Sequence, residues 1–166
     1  MIASDEVEGI RDSLVHVVAE WTQTNLRVTV AESTDSPLEA SEVRALYLVG
    51  MNGGALPFSR LAEGGGLSRP TTSKLVSRMS AQGLFDRVRS GRTVEVRLTE
   101  AGAEAYARLV AAGQQMVGGA LAGWTADEIA QFQRQLGRFV AALPLATRTT
   151  ATRSPSTTVS SPQEET

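Results

Sequence analysis

Apolar residues recur with a helical period over most of this chain and with a period of two in one short segment. Within residues 5–31 they are spaced by threes and fours, at Val7, Ile10, Leu14, Val17, Val18 and Trp21, as on one face of a helix. Val94, Val96 and Leu98 alternate instead with charged residues, which is typical of a half-buried strand. The pattern predicts a mainly α-helical protein with one small β-hairpin.

Capping signals divide the helical part of the chain. Ser36-Pro37-Leu38-Glu39 combines a capping box with a proline in the first turn, and it predicts a helix that ends at Asn52-Gly53-Gly54. Thr99 predicts the start of a long helix, which we expect to end or bend between residues 118 and 124 because glycines are frequent there. Thr125-Ala126-Asp127-Glu128 is a second capping box. It opens a last helix with heptad spacing of apolar residues, at Ile129, Phe132, Leu136, Phe139 and Leu143.

Residues 56–99 have the order of a helix–turn–helix followed by a basic hairpin. A short helix over residues 58–63 precedes three glycines, and a second helix is predicted to begin at Ser68, a good N-cap, with Pro70 in its first turn. Gly83 is a typical glycine after a helix C-terminus, and Arg89-Ser90-Gly91-Arg92 is a hairpin turn with an arginine on each side. This order is typical of a winged helix. We call the helix after Ser68 the recognition helix.

The charge distribution favours nucleic acid as the partner of this segment. Residues 56–99 hold eight Lys and Arg side chains against three Asp and Glu, a net charge of +5 in a chain whose net charge is −2. A basic module in an otherwise acidic chain is the electrostatic signature of nucleic-acid binding. The alternative, a solvated basic helix beside an ordinary hairpin, does not explain why helix, turn and wing occur together in this order.

The ordered motifs of this segment resemble the multiple-antibiotic-resistance regulator (MarR) family. The motifs are residues 68–79, then Gly83-Leu84-Phe85-Asp86-Arg87, then residues 96–102, and the resemblance covers roughly residues 5–143. It implies a dimeric winged-helix transcription factor that binds pseudo-palindromic double-stranded DNA, acting as a repressor that a small molecule releases. The chain departs from the family at the wing, where Ser90-Gly91-Arg92 stands in place of the usual Asp-x-Arg.

Groove dimensions suggest a role for each basic side chain. The major groove admits a helix, so the first turns of the recognition helix are expected near base edges, with Arg69 and Lys74 as donors to guanine. Arg78 and Arg60 are expected to hold phosphates, and the wing tip is expected to reach the minor groove. The complete set of candidate DNA-binding residues is Arg60, Ser68, Arg69, Thr71, Ser73, Lys74, Ser77, Arg78, Arg89, Ser90, Gly91 and Arg92.

The helices outside the winged-helix unit predict a homodimer. Three apolar stripes, on the first helix and on the two helices after the wing, exceed what a small winged-helix unit can cover. We expect residues 1–143 to form one MarR-type domain, with a winged-helix unit at about 36–99 and dimerisation helices at about 5–31 and 99–143. Residues 144–166 are rich in Ser, Thr and Pro, and we expect a disordered tail there.

Composition limits the remaining functions. The chain has no cysteine and one histidine, so we expect neither a catalytic site nor a metal site nor a cofactor, and we expect any effector to be a small organic molecule instead of an oxidant or a metal. No apolar run is long enough for a membrane span, so we expect a cytoplasmic protein without a membrane partner. Two alternatives stay open. One is an enzyme, for which we find no set of catalytic residues. The other is a winged-helix protein-interaction module, which the basic residues Arg69, Lys74 and Arg78 disfavour.

Overall fold

Six helices and one small sheet make up the part of the chain that the computed structural model describes, which is residues 4–32, 38–91 and 93–143. The helices are α1 (Ser4–Glu32), α2 (Ala40–Met51), α3 (Phe58–Gly65), α4 (Arg69–Ala81), α5 (Glu100–Ala120) and α6 (Ala126–Ala142). The strands are β1 (Ala55–Pro57), β2 (Phe85–Ser90) and β3 (Thr93–Leu98). The predicted fold, mainly α-helical with a hairpin wing, is confirmed, and α4 is the recognition helix.

The sheet has a third strand that the sequence pattern did not predict. The strand order is β1-β3-β2 with antiparallel pairing throughout, so β1 is an edge strand. Its three residues are too few to show an alternation of apolar and polar positions. Pro57 ends the strand and is the N-cap of α3. A proline has no N–H to donate to a neighbouring strand, and this lack is tolerated at the edge of a sheet.

The start of α2 lies later than the sequence predicted. Leu38 and Glu39 precede the helix, and Glu39 is its N-cap. The backbone N–H of Glu39 donates to Oε2 of Glu42 over 2.8 Å, so the pair that closes this helix end is Glu39 with Glu42. The predicted cap at Ser36 and Pro37 lies outside the described residues.

The junction between α3 and α4 also differs from the prediction. Gly64 and Gly65 belong to α3 instead of breaking it, and Gly66, with a φ of 64°, is its C-cap. The end of the recognition helix is as predicted. Beyond it, the N–H of Gly83 bonds to Ser80 O and the N–H of Leu84 to Met79 O, which is the Schellman arrangement.

The hydrophobic core lies between α2, the helix–turn–helix, the sheet and the first half of α5. One face of every one of these elements contributes to it. Its most buried large apolar side chains are Leu46, Val49, Leu61, Val76, Met79, Phe85, Val96 and Leu109. α1 packs along α5, and within the described residues no helix is long and apolar enough to cross a membrane.

Two helices keep their apolar stripes at the surface of the single chain. On α6 no residue is buried, although its capping box at Thr125 and Glu128 forms as predicted. The exposed stripe residues are between 36% and 64% exposed, and they are Val7, Ile10, Leu14, Val17 and Val18 on α1 and Ile129, Phe132, Leu136, Phe139 and Leu143 on α6 or just after it. The predicted tail at 144–166 lies outside the described residues.

The end of the wing is joined to the end of the recognition helix by Thr99 and Gly102. The N–H of Thr99 donates to Leu84 O over 3.1 Å, and its hydroxyl caps α5 by accepting the N–H of Gly102 over 3.0 Å. A Cβ on Gly102 would collide with the Leu84 carbonyl oxygen. Because that oxygen belongs to the backbone, a side chain at position 102 cannot be accommodated by a rotamer change.

We therefore predict that Gly102→Ala lowers the free energy of unfolding by about 1–3 kcal/mol, the usual cost of overpacking. The matched control is Gly119→Ala, in the same helix, where an added Cβ meets no atom within 4 Å. The control should be neutral or slightly stabilising. Chemical denaturation of both variants measures the difference, and equal stabilities would contradict the packing at Leu84.

Candidate nucleic-acid interface

The recognition helix begins at a well-defined cap. Ser68 has extended backbone angles, and its hydroxyl oxygen accepts the N–H of Thr71 over 3.3 Å. Pro70 lies in the first turn, where its missing N–H costs no intrahelical bond. The sequence signals for this helix start are purely local, and the helix begins where they predict.

One face of α4 is buried, and the candidate DNA-binding side chains lie on the other. Thr72, Leu75, Val76 and Met79 are buried, and the Thr72 hydroxyl donates to Ser68 O over 2.9 Å. Arg69, Thr71 and Lys74 are exposed. Within the described part of the chain, the side chains of Arg69 and Lys74 make no hydrogen bond or ion pair, so both cations are free for a partner.

Arg60 lies on α3, outside the recognition helix. Its guanidinium is 3.4 Å from Oε2 of Glu63, and both side chains are more than half exposed. Surface pairs of this kind contribute little to stability, so a phosphate could replace Glu63 at small cost. The geometry is compatible with the predicted phosphate contact.

Arg78, for which the sequence predicts a phosphate contact, has two acidic partners within the chain. Its Nε donates to Oε1 of Glu42 over 2.6 Å, and its NH2 group lies 2.9 Å from Oε2 of Glu39. The hydrogen bond to Glu42 raises the pKa of the Arg78 guanidinium above its ordinary value. Arg78 therefore joins the second half of the recognition helix to the start of α2.

Arg87 contacts the recognition helix, which the sequence did not predict. It lies on β2, and its NH2 group donates to Ser73 O and to the Ser77 hydroxyl, both over 2.8 Å. Of the predicted DNA-binding residues, Ser77 is therefore engaged by the wing. No local pattern relates position 87 to position 77, so the sequence carried no signal for this contact.

The wing presents Arg89 near its tip. Arg89 is exposed, and within the described residues it makes no ion pair. Ser90 pairs with Thr93 across the hairpin, and Gly91, with a φ of 60°, forms the turn. Arg92 lies outside the described residues. On β3, Arg97 pairs with Glu95 at 2.6 Å, so its charge is compensated within its own strand.

An open cleft of about 650 Å³ lies between α1, α2 and α5. Three aromatic rings line it, with the ring centroid of Tyr47 5.9 Å from those of both Trp21 and Tyr106. Burial, and secondly the neighbouring Tyr106, raise the pKa of Tyr47. The Tyr47 hydroxyl donates to Leu109 O, 3.0 Å away. The cleft suits a small, mainly apolar molecule.

No group of three or more His, Asp or Glu residues within the described ranges has the geometry to hold a metal ion. The buried carboxylate of Glu42 is engaged by Arg78. The charged side chains near the recognition helix therefore serve ion pairing or remain free for a partner.

Comparison with known proteins agrees with this geometry. A model of the MarR family matches residues 36–93, and a comparison with curated proteins finds no match. The structure of a MarR family protein from Bacillus stearothermophilus is similar at 25% identity and a TM-score of 0.72, covering 85% of this chain and 97% of that one. The resemblance to the MarR family is confirmed.

Two further solved structures share the fold. A transcriptional regulator of the MarR family from Silicibacter pomeroyi has 22% identity and a TM-score of 0.64, covering 87% of this chain and 97% of that one. BpsR of Bordetella bronchiseptica, whose DNA binding is regulated by 6-hydroxynicotinic acid, has 18% identity and a TM-score of 0.51, covering 77% of this chain and 98% of that one.

Proposed function

We propose, from the match of residues 36–93 to a model of the MarR family, that the chain belongs to this family and is a homodimeric transcriptional repressor that binds double-stranded DNA. The observation that carries the proposal is the free face of α4. Arg69 and Lys74 extend from a helix whose opposite face is fixed in the core. An exposed helix start with unpaired cations suits the major groove.

We propose that the two ends of the interface have different tasks. Arg69, in the first turn of α4, reads base edges, together with Lys74 one turn further along. Thr71 and the exposed part of Ser73 contact bases or phosphates. Arg60 holds a phosphate from α3, and the wing residues Arg89 and Arg92 reach the minor groove or its backbone. Phosphate contacts of this kind set register, while base contacts set sequence preference.

The dimer follows from the exposed stripes of α1 and α6. A helix with a wide apolar face needs a partner surface, and α6 buries no residue in the single chain. A second copy that covers both stripes would remove their apolar side chains from water. It would also place two recognition helices side by side, as a pseudo-palindromic operator requires. We propose that this pairing is obligatory for DNA binding.

The cleft beside Tyr47 is our proposed site for a small organic effector. It lies on α1, α2 and α5, next to the helices that we assign to the dimer, and its lining is mainly apolar and aromatic. The chain has no cysteine, so thiol oxidation cannot be the signal. BpsR, which shares this fold, responds to an aromatic acid, and that precedent supports a small-molecule signal here.

We predict that Arg69→Ala and Arg89→Ala weaken DNA binding in different ways. Loss of Arg69 should remove a base contact worth about 1–3 kcal/mol and reduce the ratio of specific to nonspecific affinity. Loss of Arg89 should weaken binding to all sequences alike and flatten the salt dependence by about one counterion per subunit. Titration of both variants against the gene's own upstream duplex and a scrambled duplex, at several salt concentrations, measures both effects.

The two variants serve as controls for one another because each removes one exposed arginine. If Arg89→Ala abolished sequence preference while Arg69→Ala preserved it, the assignment of recognition helix and wing would be wrong. If the wild-type protein bound neither duplex, the proposed function itself would fail.

We also predict that Leu136→Arg separates the dimer. The substitution places a charge in the middle of the α6 stripe, where burial against a second copy would leave that charge unpaired. Ala141→Arg, on the opposite side of the same helix, is the matched control and should remain dimeric. Light scattering at micromolar concentration distinguishes the two states, and a stable folded monomer of the wild-type protein would refute the dimer.

A further inference from the structure

We propose that Glu42 is a positioning residue for DNA recognition, because its buried carboxylate holds Arg78 and thereby fixes the recognition helix on α2. The proposal rests on the DNA-binding function proposed above. It also assigns Arg78 a new role, as an internal tie instead of a phosphate contact. We call Glu39, Glu42 and Arg78 the α2–α4 tie.

Both carboxylate oxygens of Glu42 are engaged. Its side chain is 1% exposed, and a carboxylate buried to that degree requires a compensating charge. Oε1 accepts from Arg78 Nε over 2.6 Å, and Oε2 accepts the N–H of Glu39 over 2.8 Å. One side chain therefore closes the first turn of α2 and also binds the recognition helix, so the two elements share one fixed point.

The charges around Arg78 disfavour a phosphate. Its guanidinium faces two carboxylates, Glu42 at 2.6 Å and Glu39 at 2.9 Å, so the three side chains together carry one net negative charge. Arg69, Lys74 and Arg89 have no such neighbours among the described residues. The backbone of DNA would meet a compensated arginine at position 78 and free cations at the other positions.

The tie lies at the far end of the helix from the predicted base contacts. Arg78 is nine residues beyond Arg69, which corresponds to about 14 Å along a helix axis. A tilt of about 10° about the tie would move the position of Arg69 by about 2 Å, which exceeds the tolerance of a hydrogen bond to a base. Apolar packing at Leu75 and Met79 is nondirectional, so by itself it does not fix the angle of the helix. A hydrogen-bonded ion pair has a defined geometry and does constrain that angle.

Substitution of Glu42 separates this proposal from simple electrostatics. Glu42→Gln removes a negative charge, and general attraction to phosphate would then strengthen binding to every DNA. If the tie positions the recognition helix, Glu42→Gln should instead weaken binding to the specific site. We expect Glu42→Gln to lower the ratio of upstream-duplex to scrambled-duplex affinity by about tenfold, as for the loss of one well-placed base contact. Glu63→Gln, on α3 beside Arg60, is the matched control because it removes the same charge outside the tie, and its ratio should remain that of the wild type.

A double-mutant cycle with Arg78→Met tests whether the two residues act together. We expect Arg78→Met to lower the same ratio while leaving the slope of log affinity against log salt unchanged. The double variant should be no worse than either single variant, because both remove one interaction. Glu39→Gln removes the exposed half of the tie without leaving a buried charge unpaired, and it should give a smaller loss of the same sign. Arg78→Lys, which keeps the charge but not the fork of donors, should restore part of the ratio.

The measurements use full-length protein whose circular dichroism shows it to be folded at the titration temperature. If wild-type protein fails to bind the upstream duplex in preference to the scrambled one, the proposed function and this inference both fail. If wild-type protein shows the preference and Glu42→Gln keeps it, the tie alone is refuted. A salt slope that falls by about one per subunit in Arg78→Met would make Arg78 a phosphate contact and would also refute the tie.

Discussion

The burial of one face of the recognition helix is the constraint from which the other features of the candidate site follow. Thr72, Leu75, Val76 and Met79 are fixed in the core, so the residues between them must face outward. A helix held on one side can present Arg69 and Lys74 in constant positions, which a flexible basic segment could not do. The Ser68 cap and the Arg87 bridge to the wing then hold the helix at its start and along its exposed side.

Local signals predicted the parts of the fold that local interactions decide. The Ser68 cap, the glycine after α4 and the Thr125 capping box each involve residues within a turn of one another, and the structure has them as the sequence predicted. The strand β1 was missed because three residues carry no period. The start of α2 was misplaced because the helix is closed by the pair Glu39 and Glu42, three residues after the cap that was predicted at Ser36.

The candidate DNA-binding residues divide in the same way. Their presence on the outer face of α4 could be predicted from the helical period, whereas their partners could not. Arg78 and Ser77 satisfy the same spacing rule as Arg69 and Lys74, yet both are engaged by side chains from distant elements. Exposure on a helical wheel thus identifies candidates, and the contacts decide which of them are free. The stripes on α1 and α6 could likewise be predicted from the helical period, and no described element of the single chain covers them.

We propose that two copies of this chain bind one duplex through their recognition helices. Sedimentation of a fluorescent duplex that carries the gene's own upstream region, with protein in slight excess, measures mass and stoichiometry together. We predict two chains on one site, displacement by the unlabelled upstream duplex but not by an equal amount of a scrambled duplex, and weaker binding as salt rises. A complex with one chain per duplex, or equal displacement by both competitors, would contradict it.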